Sequence, residues 1–221
     1  MKFKVLCVHK RTNLESYTRR WGKQTPAQKR AIERVFAASA KSHEATVAEV
    51  KDALSWLGAQ STFVLRDDLK PFDERRYDLV VTVGGDGTLL STAPNLHRTP
   101  ALAVNSAPKS SVGFFAAASI KDVRAWLERI SRGAEKPNAL HRLRVTANGK
   151  VVGHPALNDA LVAHPSPVMT TRMFIKPPGE KGEEQKSSGI WISTPRLIER
   201  GACSRWCVAS AAIQRAAVRR T

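Results

Sequence analysis

The chain has 221 residues, with 36 Lys and Arg against 19 Asp and Glu, a formal charge of +17. With 42% hydrophobic and 25% charged residues it has globular rather than disordered composition, and its length suits one or two domains with a core of their own. No run approaches the ~20 apolar residues of a membrane helix, lysines interrupt the N-terminal MKFKVLCVHKRT, and the three cysteines, Cys7, Cys203 and Cys207, cannot pair evenly. A reduced, cytoplasmic protein with no membrane partner is therefore expected.

Residues 3–8, FKVLCV, read as a short buried strand, followed by a polar stretch to Gln24. Thr25-Pro26 supplies an N-cap and a first-turn proline for a helix running to Trp56 and Leu57. Ile32, Val35, Phe36, Val47, Val50, Leu54 and Leu57 form its expected apolar face, and Gly58 is placed to end it. Strands are expected at 62–66 and 78–83, the second an apolar run of the kind covered on both faces. A glycine cluster, a short helix, a strand at 101–104 and a helix over Ser119–Ser131 follow, the last with Val123, Trp126, Leu127 and Ile130 inward. From about residue 136 the texture becomes β: Asn148-Gly149 marks a hairpin turn, with further strands at 156–163, 172–176 and 189–194 and a polar loop, PPGEKGEEQK, among them. The fold expected is an α/β domain with a Rossmann-like parallel sheet, then an incomplete antiparallel β domain. Expected limits are 1–135 and 136–195, with an Arg-rich tail over 196–221 that carries +5 of the total charge.

Gly84-Gly85-Asp86-Gly87-Thr88, directly after the apolar strand, carries the chemistry. Glycines allow close backbone approach, and backbone N–H groups at a strand end before a helix make a seat for phosphate. An acid in that seat repels the phosphates it faces unless it takes a proton from an attacking hydroxyl or helps hold Mg²⁺. The bland alternative is a tight turn whose Asp86 caps the next helix. Asn158-Asp159 by itself suits a turn, and Phe114 with Phe115 suits a core. His9, His43, His97, His141, His154 and His164 show no ligand spacing, and no residue is assigned as a metal ligand.

These motifs together resemble the NAD kinase family, which shares GGDGT with lipid kinases and 6-phosphofructokinases. Val104-Asn105-Ser106, Ser111-Val112-Gly113-Phe114-Phe115, Ala156-Leu157-Asn158-Asp159 and Ser188–Thr194 follow in the family's order. The loop Ala107–Ser110 is similar to the mitochondrial-type branch. The resemblance implies transfer of the γ-phosphoryl group of ATP, or a phosphoryl group of polyphosphate, to the 2′-hydroxyl of NAD's adenosine ribose. It implies a divalent ion such as Mg²⁺ as cofactor. By the same resemblance Asp86 is the proton acceptor, Gly84, Gly85, Gly87 and Thr88 bind phosphate, and Asp86, Gly87, Phe114, Asn158, Asp159 and Arg172 contact NAD. Homo-oligomers are expected of a complete β domain.

Two departures stand out. Ser188 occupies a position where most of the family carries an acid. After Pro195 the family's Thr-Gly-Ser and Ala-Gly-Gly segments are replaced by RLIERGACSRWCVASAAIQRAAVRRT. Codons permitted for that tail, read one base later, allow a glycine-, serine- and alanine-rich string of the family's spacing. A frame change near residue 195 is therefore expected, leaving the β domain incomplete and the activity impaired. Two other readings compete. A diacylglycerol-type lipid kinase carries Asn-Glu directly after GGDGT, where this chain has Leu89-Leu90-Ser91. A non-catalytic nucleotide or nucleic-acid binder would use the positive charge, but the +12 outside the tail is spread along the chain with no accompanying motif.

Overall fold

The structure is a computed structural model and describes residues 2–20, 25–177, 179, 181–193, 207–208 and 213–218. They fall into two units, one over residues 2–140 with 207–208, the other over 141–193 with 213–218.

In the first unit, β1 (Lys4–His9) leads to α1 (Asn13–Arg20) and α2 (Pro26–Trp56), then β2 (Gln60–Leu65) and β3 (Leu79–Gly84). After these come α3 (Asp86–Thr92), β4 (Pro100–Asn105), β5 (Ala118–Ser119), α4 (Val123–Ser131) and β6 (Asn138–Ala139). The strands β2, β1, β3 and β4 lie side by side in that order and all parallel, with β5 parallel to β4. This is the Rossmann-like layer expected, and its central strands are apolar on both faces because helices cover both. Val5, Cys7, Leu79, Val81, Val83, Leu102 and Val104 alternate along the strands onto one face. They pack there with Val50, Ala53 and Leu54 of α2 and Val123, Trp126 and Leu127 of α4. Each such side chain contributes about 1.5–3 kcal/mol on burial. Cys7 sits fully inside this layer, where burial pushes its thiol pKa up and leaves it inert.

Helix α2 begins as expected. Thr25 caps it in a reciprocal box with Gln28, Pro26 opens it, and Gly58 takes the left-handed φ of +65° just beyond its end. Its apolar face is the expected one at Val47, Val50, Leu54 and Leu57, which pack on the core, and differs towards the N-terminus. The buried stripe is Ala40, His43, Thr46, Val50, Ala53 and Leu54, while Val35 is exposed. Residues 26–39 are largely exposed, and Phe36 stacks instead on Tyr17 of α1 at 4.8 Å. That helix occupies part of the stretch read as merely polar. Two apolar residues, Leu14 and Tyr17, are too few to show a period, but Thr12 and Glu15 form a capping box at its start. Helix α4 starts at Val123 rather than Ser119, because Ser119 spends its N–H and hydroxyl on the Asp122 carboxylate in a turn before the helix.

The second unit contains β7 (Arg142–Ala147), β8 (Lys150–Val151), β9 (Asp159–Val162), β10 (Thr171–Ile175), β11 (Glu183–Ser187) and β12 (Ile190–Ser193). The turn between β7 and β8 is the expected one: Asn148 and Gly149 take φ of +51° and +78°, the left-handed pair that closes a two-residue hairpin. Antiparallel pairs β10–β11 and β9–β12 follow. Strand β11 overlaps the expected polar loop, sharing Glu183–Lys186 with it. Its EEQKS side chains are largely exposed and carry no apolar signal, so its ladder with β10 makes it a strand.

Part of the Arg-rich tail is also described. Strand β13 (Cys207–Val208) joins the first unit between β4 and β6, and β14 (Ile213–Val218) lies parallel to β7 in the second. Among the described residues the second unit is thus antiparallel apart from that one pair. The expected frame change near residue 195, and the rest of the tail, lie outside the described residues. Among the described residues no helix is long and apolar enough to cross a membrane.

Candidate active site

Parallel strands bring their carboxyl ends to one edge of the sheet, the place where open α/β sheets hold ligands. The register sets His9 beside Val83, and Gly84 beside Asn105. The residues after β1, β3 and β4 therefore meet there: Lys10, the glycine turn, and Ser106.

At the end of β3 the chain turns directly into α3, with Gly85 as its N-cap and Asp86 in the first turn. Gly84 cannot be replaced without displacement, since a Cβ on it would collide with the Thr88 hydroxyl. That hydroxyl is buried and has no hydrogen-bond partner among the described residues. Gly85 faces Ser111 Oγ, 3.0 Å from where its Cβ would be, whereas Gly87 is exposed with open space at its Cβ position. The turn is thus packed on the Gly84 side and open at Gly87.

Asp86 does not cap its own helix. Its Oδ2 accepts the N–H of Phe114 at 2.9 Å and its Oδ1 accepts that of Phe115 at 2.8 Å. The carboxylate is half-buried, and each oxygen keeps a second lone pair. The turn it grips is itself braced. Gly113 has φ of +62°, and a Cβ there would collide with the Asn105 amide. Asn105 Nδ2 donates to the Ser111 carbonyl at 2.9 Å, and its Oδ1 accepts the Ala107 N–H at 3.1 Å. The GGDGT turn, the loop after β4 and the Gly113–Phe115 turn are one hydrogen-bonded piece. Phe114 is 42% exposed, with its ring edge-on to Phe115 at 5.1 Å.

A buried histidine holds α2 to this edge. His43 is 3% exposed, with Nε2 2.9 Å from the Lys10 carbonyl and Nδ1 2.8 Å from Ser106 Oγ. A carbonyl only accepts, so Nε2 carries the proton and Nδ1 accepts from the Ser106 hydroxyl. The neutral ring is fully satisfied. Burial, reinforced by the Lys10 charge, pushes its pKa down to about 4. Ser106 in turn donates its N–H to the Gly84 carbonyl at 3.0 Å. His43 was not assigned a role from sequence; its signal was the spacing 40, 43, 46, 50, which places it on the buried stripe of α2.

The remaining expected site residues belong to the second unit. Asn158 donates its amide N–H to Asp159 Oδ2 at 2.9 Å, and both are half-buried at the start of β9. Arg172 lies exposed on β10, directly across from Lys186 of β11. Gly84, Gly85, Asp86, Gly87, Thr88 and Phe114 are brought together in the first unit, and Asn158 with Asp159 in the second.

Among the described residues no three His, Cys, Asp or Glu side chains converge in a group that could hold a metal ion. At the glycine turn Asp86 is the only carboxylate, and one carboxylate alone does not enclose a divalent ion.

The parallel strands β2 to β5 with all of β1 but its first residue, the glycine turn after β3 and the braced Phe114 turn fall within the span recognised by the family model described as the ATP-NAD kinase N-terminal domain, residues 5–134. The chain belongs to the NAD kinase family. A probable NADH kinase of Oryza sativa subsp. japonica is 31% identical over 175 residues, covering 69% of this chain and 53% of that protein. An NAD kinase of Marinobacter nauticus is 37% identical over 128 residues, covering 53% of this chain and 41% of that protein. One of Methanoregula boonei is 31% identical over 119 residues, covering 53% and 42%. The chain spans about half the length of the curated relatives it matches. Membership of the NAD kinase family does not favour the lipid-kinase and nucleic-acid readings.

Proposed function

We propose that this protein phosphorylates the 2′-hydroxyl of the adenosine ribose of NAD, with ATP as donor. The observation that carries the reading is the Asp86 carboxylate, fixed by the N–H groups of Phe114 and Phe115 at the open side of a glycine turn. In this reading the ribose oxygen attacks the γ-phosphorus, the bond to the bridging oxygen of ADP breaks, and Asp86 accepts the hydroxyl proton through a free lone pair. In this reading Gly84, Gly85, Gly87 and Thr88 form the phosphate turn, with Gly87 at its open side and the Thr88 hydroxyl buried against Gly84. Phe114, in part exposed, offers a ring face to adenine. Asn158 and Asp159 would contact the adenosine portion, with the carboxylate accepting from ribose hydroxyls, and Arg172 would lie near NAD. Positioning and charge do most of the work in phosphoryl transfer, so rigid bracing around Asp86 is what such a site requires.

Calorimetric titration of NAD into the full chain tests the acceptor side. Asp159→Ala is expected to weaken NAD binding roughly 10- to 100-fold, the loss of a charged hydrogen-bonding partner. Equal affinity in the variant, or no NAD binding by the parent chain, would contradict the assignment.

A further inference from the structure

Lys10 follows β1 and lies against the glycine turn: a Cβ on Gly84 would sit 3.5 Å from Lys10 Cγ. The side chain is half-buried, and its ammonium forms no ion pair or hydrogen bond among the described residues. Its cationic neighbours are occupied. Arg11 pairs with Asp67 at 3.5 Å and with Asp68 at 3.2 Å, and Arg66 pairs with Asp67 at 3.0 Å. Burial, with the Arg66 charge adding to it, pushes the Lys10 pKa down. Lys10 borders a cavity of about 420 Å³ that His9, Thr12, Glu15, His43 and Glu44 also line. Of the two carboxylates there, Glu15 is engaged by the Thr12 N–H at 3.0 Å. A partly desolvated ammonium with no carboxylate partner, beside a like charge, is costly to hold and is stabilised by an incoming oxyanion.

Strand β3 has β1 on one flank and β4 on the other. The β4 flank carries the Phe114–Phe115 turn that Asp86 grips, which is the side of the proton acceptor. Lys10 stands on the β1 flank, so an oxyanion there belongs to the other reactant. We propose that Lys10 is the cation for the terminal phosphoryl oxygens of the donor, forming with the Gly84–Thr88 turn a polyphosphate site that opens toward the cavity beside β1. This deepens the phosphoryl-transfer reading and rests on it. A pyrophosphate of NAD shares the chemistry, and the test separates the two sources.

The probes are inorganic tripolyphosphate and NAD, each titrated separately into the full chain. Lys10→Met keeps the methylenes against Gly84 and removes the charge. It is expected to weaken tripolyphosphate binding roughly tenfold or more and to flatten its salt dependence, with NAD affinity unchanged. Lys10→Arg should retain tripolyphosphate binding, and Lys150→Met, on exposed β8, should behave as the parent. Lys10→Gln replaces the methionine variant if that one fails to fold. Tripolyphosphate binding that is absent in the parent, or equal in the parent and the neutral variants, overturns the proposal, as does a loss confined to NAD. A parent that binds tripolyphosphate through Lys10 but does not bind NAD would contradict the NAD kinase reading and leave this site standing.

Discussion

Asp86→Asn is expected to lower the rate of NADP formation by roughly 10²–10⁴-fold relative to the unsubstituted chain, the usual contribution of a positioned general base. The amide has one acceptor oxygen, whereas the carboxylate holds two N–H groups, those of Phe114 and Phe115. One of these must lose its partner to an NH₂ group that cannot accept. The substitution therefore also loosens the Gly113–Phe115 turn, at a cost of about 1–3 kcal/mol for an unsatisfied backbone donor. Two readouts separate the roles. Faster amide hydrogen exchange at Phe114 and Phe115 reports the lost brace, and initial rates at saturating substrate report the lost base. A rate that falls only in proportion to NAD affinity would make Asp86 a brace and no more.

The second large effect is on stability against pH. His43 is neutral in the fold, its pKa pushed down to about 4 by burial first and the Lys10 charge second. In the unfolded chain it titrates near ~6.5. Above that pH neither state binds the proton and the stabilising contribution is complete. As pH falls from about 6.5 towards 4 the unfolded chain takes up a proton that the folded one refuses, so stability falls, by about 3 kcal/mol in all, and His43 adds no further loss below that. Urea unfolding midpoints should therefore drop between pH 7 and pH 4.5 more steeply in the parent than in His43→Gln, whose amide keeps a hydrogen-bonding group and does not titrate. Identical slopes in the two proteins would contradict this placement of His43.

The glycine turn was legible because steric exclusion acts through residue type: only glycine fits where Gly84 meets Thr88 and where Gly113, at positive φ, meets Asn105. The parallel core was legible for a related reason, since strands covered on both faces are nearly continuous apolar runs, as LVVTVG is but for Thr82. What escaped the sequence depended on partners far along the chain. The Asp86 carboxylate reaches a turn 28 and 29 residues away, and His43 reaches Ser106, 63 residues on. Helix α1 and strand β11 escaped because they are polar, the one held by a capping box and a Tyr17–Phe36 stack, the other by a backbone ladder. For Asn158 and Asp159, adjacency was visible in the sequence; the hydrogen bond joining their side chains was not.

The central claim is that the glycine turn and Asp86 direct a phosphoryl group onto NAD. Incubating the full chain with γ-³²P ATP and NAD, and locating the label in the product, tests it most directly. The account predicts label in the 2′-phosphate of NADP, however slowly it accumulates, and its disappearance with Asp86→Asn. Saturating occupancy by both nucleotides with no label transferred, or transfer that persists unchanged in the asparagine variant, would contradict it.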